Sequence, residues 1–483
     1  MNFFVNGGMG ISNSGIEHAE FYRAKLFAQL GEPYKYVFVD FVPKLQEAMK
    51  AWHIAPNAVA NIWEYFTLGD QYLRDGVTRE FPVKDDLVID STQTHRKKET
   101  WTTGGLRIVE HLVKHPDRHK KTDVLLVSTA HMDIFSRIDG KRKVTFEYVD
   151  DPHRKTMIRN IHVFDFNGEH LFFANEVPAR RYFFDQLAHA YGGHSNFIID
   201  RGERNEVALF SPKMPHASII DAIHADHLSN RDDPAKPLWN NYYEYLLTHL
   251  DKVDKIVVAT KLQRQDLLTD FPKQDDKFVA IPVGGVRDQP TVDLTKPLGK
   301  PLKLITASRL ATEKNINLIV KAVAAVHADG TPIELDIYGE GGQQAELEKT
   351  IKELHAVDYI KLAGQSTHLD DLYPQYDAFI SGSFSEGFGL TFIEALNAAL
   401  PVISFDARFG AQELIDDGVN GFLQPFKRGD EAYNVDQLKI AIHRLLDANY
   451  TQLRKNTQQS VKQYQDHVNA KKWKVLIDEL RVD

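Results

Sequence analysis

The sequence predicts an α/β protein of two doubly wound, Rossmann-like lobes, with an antiparallel β-meander inserted in the first. Three observations predict it. At 483 residues the chain exceeds one compact core, and a typical domain of ~150 residues implies about three units. In the C-terminal half, short β-rich runs at 303–307, 333–338, 359–362, 377–381 and 402–405 alternate with helix-length segments, the pattern of a parallel sheet covered on both faces. The same rhythm recurs at 197–199, 218–223, 255–259 and 278–283.

Taken in order, residues 1–5 read as a strand, followed by the glycine loop GGMGISNSGIE (7–17) and a helix from Ala19 onward. A further strand is expected at 34–40. Between about 75 and 180 the rhythm breaks. There Asp139-Gly140 and Asn167-Gly168 stand between β-rich runs, the strongest short-range signal for two-residue hairpin turns. Runs 144–148, 161–166 and 171–174 are the strands of the inferred meander, which serves either as a structural elaboration or as an acceptor-binding or oligomerisation platform. Segment 288–301, polar and carrying Pro290, Pro297 and Pro301, makes a hinge. The expected division is 1–74 with 181–287 for the N-terminal lobe, 75–180 for the insertion and 288–483 for the C-terminal lobe, whose last helix can cross back.

Composition narrows the classes of function. Hydrophobic residues make up 43% of the chain and aromatics 11%, ordinary values for a globular protein. A net charge of -9 and a pI near 6.2 provide no global basic field for sequence-independent nucleic-acid binding. The absence of cysteine excludes disulfides, thiolate nucleophiles and cysteine-ligated metals. The N-terminus carries no signal-peptide pattern and no run approaches the ~18 apolar residues of a spanning helix, so a cytoplasmic location is expected, with any membrane contact peripheral at the inner face.

The densest constellation is SFSEGFGLTFIEAL (383–396), a strand end, a glycine loop and a helix start. Unpaired N–H groups there, with the positive end of the helix dipole, favour an anion such as a sugar diphosphate. Glu386 and Glu394 would repel that anion if they faced it, so they suit neutral hydroxyls of sugar and ribose. Arg309 and Lys314, in ASRLATEKN (307–315), again follow a strand and can neutralise a departing diphosphate without a metal. Each feature alone fits a solvated turn; their conjunction describes a nucleotide-sugar site, with Gly339 at the end of a neighbouring strand. The loop at 7–17 departs from G-x-G-x-x-G spacing, and an anion or acceptor cradle stands beside a plain turn as its reading. In IIDAIHADH (219–227), His224 sits at the carboxyl end of an apolar strand, where it can reach a donor sugar. His227 is equally well a packed core residue, and i, i+3 spacing is weak for zinc. No Asp-x-Asp element of the metal-holding kind stands out.

These motifs resemble the GT-B glycosyltransferases of family 4: SEGFGL with Glu394 is similar to their E-x7-E pattern, and SRL with Lys314 to their diphosphate pair. More narrowly, LWNNYYEY (238–245), IPVG (281–284), ITASRLA (305–311), residues 10–17 and HADH (224–227) resemble the catalytic-subunit family of the bacterial O-glycosyltransferases that modify serine-rich repeat adhesins. The resemblance implies retaining transfer of N-acetylglucosamine, or glucose, from a UDP-sugar to Ser/Thr hydroxyls by front-face attack, with neither metal nor pyridoxal phosphate. It implies catalytic roles for His224, Arg309, Lys314 and Glu386, and donor contacts from Ser14, Gly15, Gly339, Phe388, Gly389, Leu390 and Glu394. It also implies a non-catalytic sister subunit meeting the β-meander, while leaving a homo-oligomer open. The alternatives are a wall teichoic acid α-glycosyltransferase, for which Lys141 to Lys143 and Arg180-Arg181 could line a basic groove, and the non-catalytic sister subunit itself, which the four intact donor residues oppose.

Overall fold

The computed structural model describes residues 1–483 apart from 12–14, 90–95, 117–124, 150–156, 203, 211, 231–234, 287–291, 367 and 483. The chain begins with β1 (Asn2–Asn6), β2 (Tyr34–Phe38) and β3 (Val59–Asn61). The insertion follows as β4 (Lys84–Ile89), β5 (Arg96–Trp101), β6 (Leu106–Pro116), β7 (Leu125–Ser136), β8 (Arg142–Val149), β9 (Met157–Phe166) and β10 (Glu169–Asn175). Then come β11 (Ser195–Ile199), β12 (Ala217–Ile223), the ribbon β13 (Leu228–Asn230) and β14 (Leu238–Trp239), β15 (Lys255–Val258) and β16 (Phe278–Ala280). The C-terminal strands are β17 (Leu302–Ala307), β18 (Ile333–Tyr338), β19 (Ile360–Gly364), β20 (Ala378–Ile380), β21 (Val402–Phe405) and β22 (Gly421–Gln424).

Two parallel sheets result, ordered β16-β15-β12-β11-β1-β2-β3 and β19-β18-β17-β20-β21-β22, with a separate antiparallel sheet ordered β10-β9-β8-β7-β6-β5-β4. This is the GT-B architecture. The strands of the first sheet are apolar on both sides, as a sheet covered on two faces requires. Phe3, Val5, Phe197 and Ile199 join one buried cluster, and Phe4, Ile198, Ile220 and Val257 the other. The second face is covered partly by the last helix, Asp466–Val482, through Trp473, Leu476 and Ile477. That helix belongs to the C-terminal end yet lies on the N-terminal lobe, where Phe27 and Trp473 meet edge to face at 5.6 Å. Lys25 reaches Asp466 at 2.5 Å, and Arg481 pairs with Glu32.

The first face of the sheet continues into the meander without a break in the apolar core, which runs from Phe3 and Ile219 through Ile108, Ile134, Phe146 and Val163. Aromatic rings make the joint: Trp63 on Phe146 at 4.7 Å, Tyr65 on Phe166 at 5.1 Å and Phe66 on Phe173 at 5.8 Å. Asn61 presents them by capping the helix Ile62–Leu68, its side chain accepting from the N–H groups of Trp63 and Glu64.

Several expectations are corrected. The meander has seven strands, not three; of the four unread ones, β5 is so charged that no apolar run marks it. β5 and β6 pair antiparallel without a register shift. The Asp139-Gly140 turn is not a two-residue hairpin: residues 137–141 connect β7 to β8, with a register shift beside them. At Asn167-Gly168 both residues have positive φ, 52° and 83°, as a type I′ turn demands. β16 stops at Ala280 rather than 283, since Pro282 has no N–H for the ladder. The first helix starts at Gly15, not Ala19. β3 and β22 are two further strands beyond the expected runs.

Candidate active site

The carboxyl ends of both parallel sheets face one cleft, and two loops of the C-terminal lobe meet on its floor. After β17 the chain makes the 3₁₀ turn Thr312–Lys314 and passes through Asn315 in the left-handed conformation, φ 47°. Asn315 Nδ2 donates to the carbonyl of Gly382 at 3.0 Å, and a Cβ on Gly382 would stand 2.7 Å from the Asn315 carbonyl oxygen. Only glycine permits this approach. It brings Lys314 Nζ to Glu386 Oε1 at 2.5 Å. Gly389, at φ 89°, then starts the helix Leu390–Asn397 with no side-chain cap. Among the described residues, the Leu390 and Thr391 N–H groups therefore have no protein acceptor, and with the helix dipole they form an anion cradle.

Glu394 lies one turn into that helix, where Tyr373 donates its hydroxyl to Oε2 at 3.0 Å. Burial pushes this carboxyl up to about 7, the Tyr373 bond opposing and the Asp370 charge adding to the rise. A carboxyl whose pKa is higher folded than unfolded holds its proton more tightly in the native state, so its stabilising effect is present at low pH and is lost as pH climbs toward 7. Glu394→Gln should therefore be nearly neutral at pH 5 and stabilising by about 1–2 kcal/mol at pH 8. Thermal melts at the two pH values check this; a gain independent of pH, or a loss at pH 8, contradicts it.

The opposite wall comes from the N-terminal lobe. His224 follows β12, and its Nε2 lies 2.8 Å from Asp200 Oδ1. Asp200, just past β11, also receives both terminal nitrogens of the buried Arg23. Burial alone would raise the Asp200 carboxyl, but Arg23 and His224 bring it down to about 2. The hydroxyl of Tyr243 accepts from the N–H groups of His224 and Ala225, at 3.1 and 3.0 Å. A cavity of about 580 Å³ opens here, lined by Gly7, Ile16, Asp200, His224, Tyr242 and Tyr243 among others. The lobes touch at this point: a Cβ on Gly387 would lie 2.3 Å from the His224 carbonyl oxygen.

Of the residues singled out from sequence, the structure thus joins Lys314 to Glu386 and sets the Glu386-Gly387 loop against His224. Arg309 is not with Lys314; it is 70% exposed and pairs with Glu313 at 2.9 Å on the rim. Gly339 follows β18 at φ 135°, so close to the Ser308 carbonyl (1.9 Å from a built Cβ) that no side chain fits. Gly389 and Leu390 lie at the helix start, Leu390 also packing on the Gly284 loop. The Phe388 ring is buried in the core against Tyr464, which leaves its main chain as the part that can run along a donor. Gly15 is exposed at the first helix terminus, and Ser14 lies outside the described residues. His227 is fully buried, stacked on Phe409 at 5.8 Å with Nε2 3.3 Å from Asp266. It therefore does not form a metal pair with His224. Among the described residues the group able to hold a metal is His111, His131 and Asp133 on the meander, where Arg142 and Thr145 already bind the carboxylate. Arg23, Asp200, Tyr243 and Tyr373 were missed from sequence. Asp200 could have been found, since it sits at the carboxyl end of a strand the sequence marks.

The glycosyl transferases group 1 model matches residues 293–464, the span holding Arg309, Lys314, Glu386 and Glu394. Over 99% of its length the chain is 31% identical to the UDP-N-acetylglucosamine–peptide N-acetylglucosaminyltransferase GtfA subunit of Streptococcus gordonii, covering 98% of that protein. The chain belongs to the GtfA family of glycosyltransferases. Among solved structures, the GtfA-type chain is similar over its whole length to the pneumococcal O-GlcNAc transferase GtfA in complex with UDP and GlcNAc (26% identity, 99% of that chain, TM-score 0.77). It is equally similar to a chain of a GtfA/B complex (27% identity, 100% of that chain, TM-score 0.76). The poly(glycerol-phosphate) α-glucosyltransferase of Bacillus subtilis is 27% identical over only 56% of this chain and 39% of its own length. Among the described residues of this GtfA relative, no helix is long and apolar enough to cross a membrane.

Proposed function

We propose that this glycosyltransferase moves N-acetylglucosamine from UDP-N-acetylglucosamine to serine or threonine hydroxyls of a serine-rich polypeptide, with retention at the anomeric carbon. The observation that carries the reading is the Lys314–Glu386 pair at the mouth of an uncapped helix, facing His224 across the cleft. A diphosphate seated on the Leu390 and Thr391 N–H groups takes Lys314 as its counter-charge and draws Arg309 in from Glu313. Glu386, released from Lys314, accepts from sugar hydroxyls, and Glu394 accepts from the ribose. No enzyme nucleophile is required: the acceptor hydroxyl attacks on the face from which UDP departs, and the protein contributes orientation and charge stabilisation. Two cations in place of Mg²⁺ make a metal unnecessary in this scheme, and no step calls for pyridoxal phosphate.

The acceptor enters from the N-terminal lobe. The cavity at His224 shares Arg204 and Tyr242 with a second cavity of about 900 Å³ that runs to Arg159 and Asn175 at the end of the meander. An extended polypeptide fits such a track. The name of the Streptococcus gordonii relative supports donor and acceptor class, and the GtfA/B complex supports a sister subunit, for which the meander is the surface proposed here. The use of a nucleotide-sugar donor is consistent with a cytoplasmic reaction, with any membrane contact peripheral.

Binding of a ligand to the native state raises stability by RT ln(1 + [L]/Kd), about 2.7 kcal/mol at a hundredfold excess over Kd. In a panel of UDP-sugars, UDP-N-acetylglucosamine should give the largest rise in Tm and UDP-glucose less. Labelled sugar should enter a Ser/Thr-rich polypeptide, as an α-linkage that alkali releases by β-elimination. Incorporation into a poly(alditol phosphate) instead would replace this reading with the teichoic acid one, which the shorter match to the Bacillus subtilis enzyme disfavours.

A further inference from the structure

We propose that Asp200, clamped by Arg23, is a positioning residue that holds His224 as the Nε2–H tautomer and so presents Nδ1 to the reaction cavity. The inference rests on the transferase reading for its kinetic arm only. Three features carry it. The contact is buried: the Asp200 side chain has no exposure, and that of His224 only 7%. Asp200 is oriented from behind, because Arg23 bonds to both of its carboxylate oxygens and is itself fixed, its guanidinium 4.3 Å over the Phe4 ring and 5.5 Å from that of Trp473. His224 is held at its backbone as well, through Tyr243.

The chemistry follows from the hydrogen-bond inventory. An ionised Asp200 can only accept, so the ring nitrogen 2.8 Å away must be the one that carries a proton. Among the described residues, Nδ1 has no protein partner, and both His224 and Asp200 line the 580 Å³ cavity. Nδ1 is thereby the atom offered to a hydroxyl of donor or acceptor, as a hydrogen-bond acceptor with a fixed direction. This arrangement reaches from Trp473 on the last helix to the cleft, so the helix that returns from the C-terminal lobe also braces the catalytic wall.

The test is a double-mutant cycle read together with the histidine tautomer. Asp200→Asn keeps the shape but removes the charge, and in either amide orientation it sets an N–H against Arg23. It should lower kcat by about 10²–10³-fold, with KM for the UDP-sugar changed by less than about threefold. In a His224→Gln background the same substitution should cost less than about threefold, because the residue it acts through is gone. An equal cost in both backgrounds overturns the proposal and makes Asp200 a purely structural group. Should Asp200→Asn not fold, Arg23→Lys, which keeps the charge but cannot grip both oxygens, should give a smaller loss that again vanishes in the His224→Gln background. Independently of any turnover, ¹⁵N-histidine spectra, with His224 assigned by its absence in His224→Gln, should show the proton on Nε2 in the wild type and a reduced Nε2–H population in Asp200→Asn. A wild-type His224 protonated at Nδ1 alone overturns the proposal. If no UDP-sugar supports transfer, the functional reading fails while the spectra still decide the tautomer.

Discussion

Lys314→Ala is expected to reduce kcat for sugar transfer by about 10³-fold or more while leaving the protein folded. The loss has two parts. Removing one preorganised group that stabilises developing charge typically costs 10²–10³ in rate. The second part comes from Glu386: its carboxylate, with only 16% of the side chain exposed, loses its partner at 2.5 Å and stands uncompensated beside the incoming diphosphate. Stability should fall by about 1–3 kcal/mol, since the largely buried Glu386 carboxylate loses its counter-charge. Glu386→Gln in the same chain removes the repulsion, so the double variant should be less impaired than the product of the two single losses. Lys314→Arg restores the charge but not the shape, and the 3₁₀ turn with Asn315 fixed to Gly382 has no slack for a longer, planar group. Steady-state kinetics with UDP-N-acetylglucosamine check the series; a Lys314→Ala variant within tenfold of the wild type removes Lys314 from the diphosphate site.

What the sequence disclosed divides along a physical line. The donor loop was legible because its information is local: Glu386, Gly387, Gly389 and Glu394 occupy one strand-loop-helix unit, and strand–helix alternation identifies that unit by itself. The apolar strands of the parallel sheets were legible for the same reason, since burial on both faces leaves a continuous hydrophobic run. Strand β5 lacked that mark, because none of its residues is buried and it carries Arg96, Lys97, Lys98 and Glu99 in succession. The Arg23–Asp200–His224 chain was hidden for another reason. Arg23 and Asp200 are 177 residues apart, and only the pairing of β1 with β11 brings their neighbourhoods together. A single sequence contains no trace of such a register. The burial of the Phe388 ring was equally hidden, since nothing local to a glycine loop says which of its side chains packs inward.

Gly387→Ala should reduce kcat about 10²-fold while barely affecting UDP affinity, and the reason lies in the meeting of the lobes. Gly387 has no positive φ, so its backbone would accept alanine; what forbids a side chain is the neighbour. A Cβ would stand 2.3 Å from the His224 carbonyl oxygen, against ordinary contacts of 3.4 Å or more; the oxygen belongs to the main chain, and the main chain of residue 387 fixes the Cβ. Neither can rotate away. Relief must come from moving one lobe against the other by about 1 Å, and a misplacement of that size at reacting groups can cost 10²-fold in rate. The proposed diphosphate site, built from the C-terminal lobe alone, should move as a unit and keep its geometry. The pattern is therefore intact UDP binding with impaired transfer, separable by calorimetry and single-turnover kinetics. Gly389→Ala is the contrast: there φ is 89° and the Cβ meets the Phe392 ring at 2.8 Å, so the helix start itself distorts and UDP binding should fall with turnover. If both alanine variants weaken UDP to the same extent, or if Gly387→Ala transfers normally, then contact of Gly387 with His224 does not set the distance between donor and acceptor, and the closed cleft described here is not the reactive one.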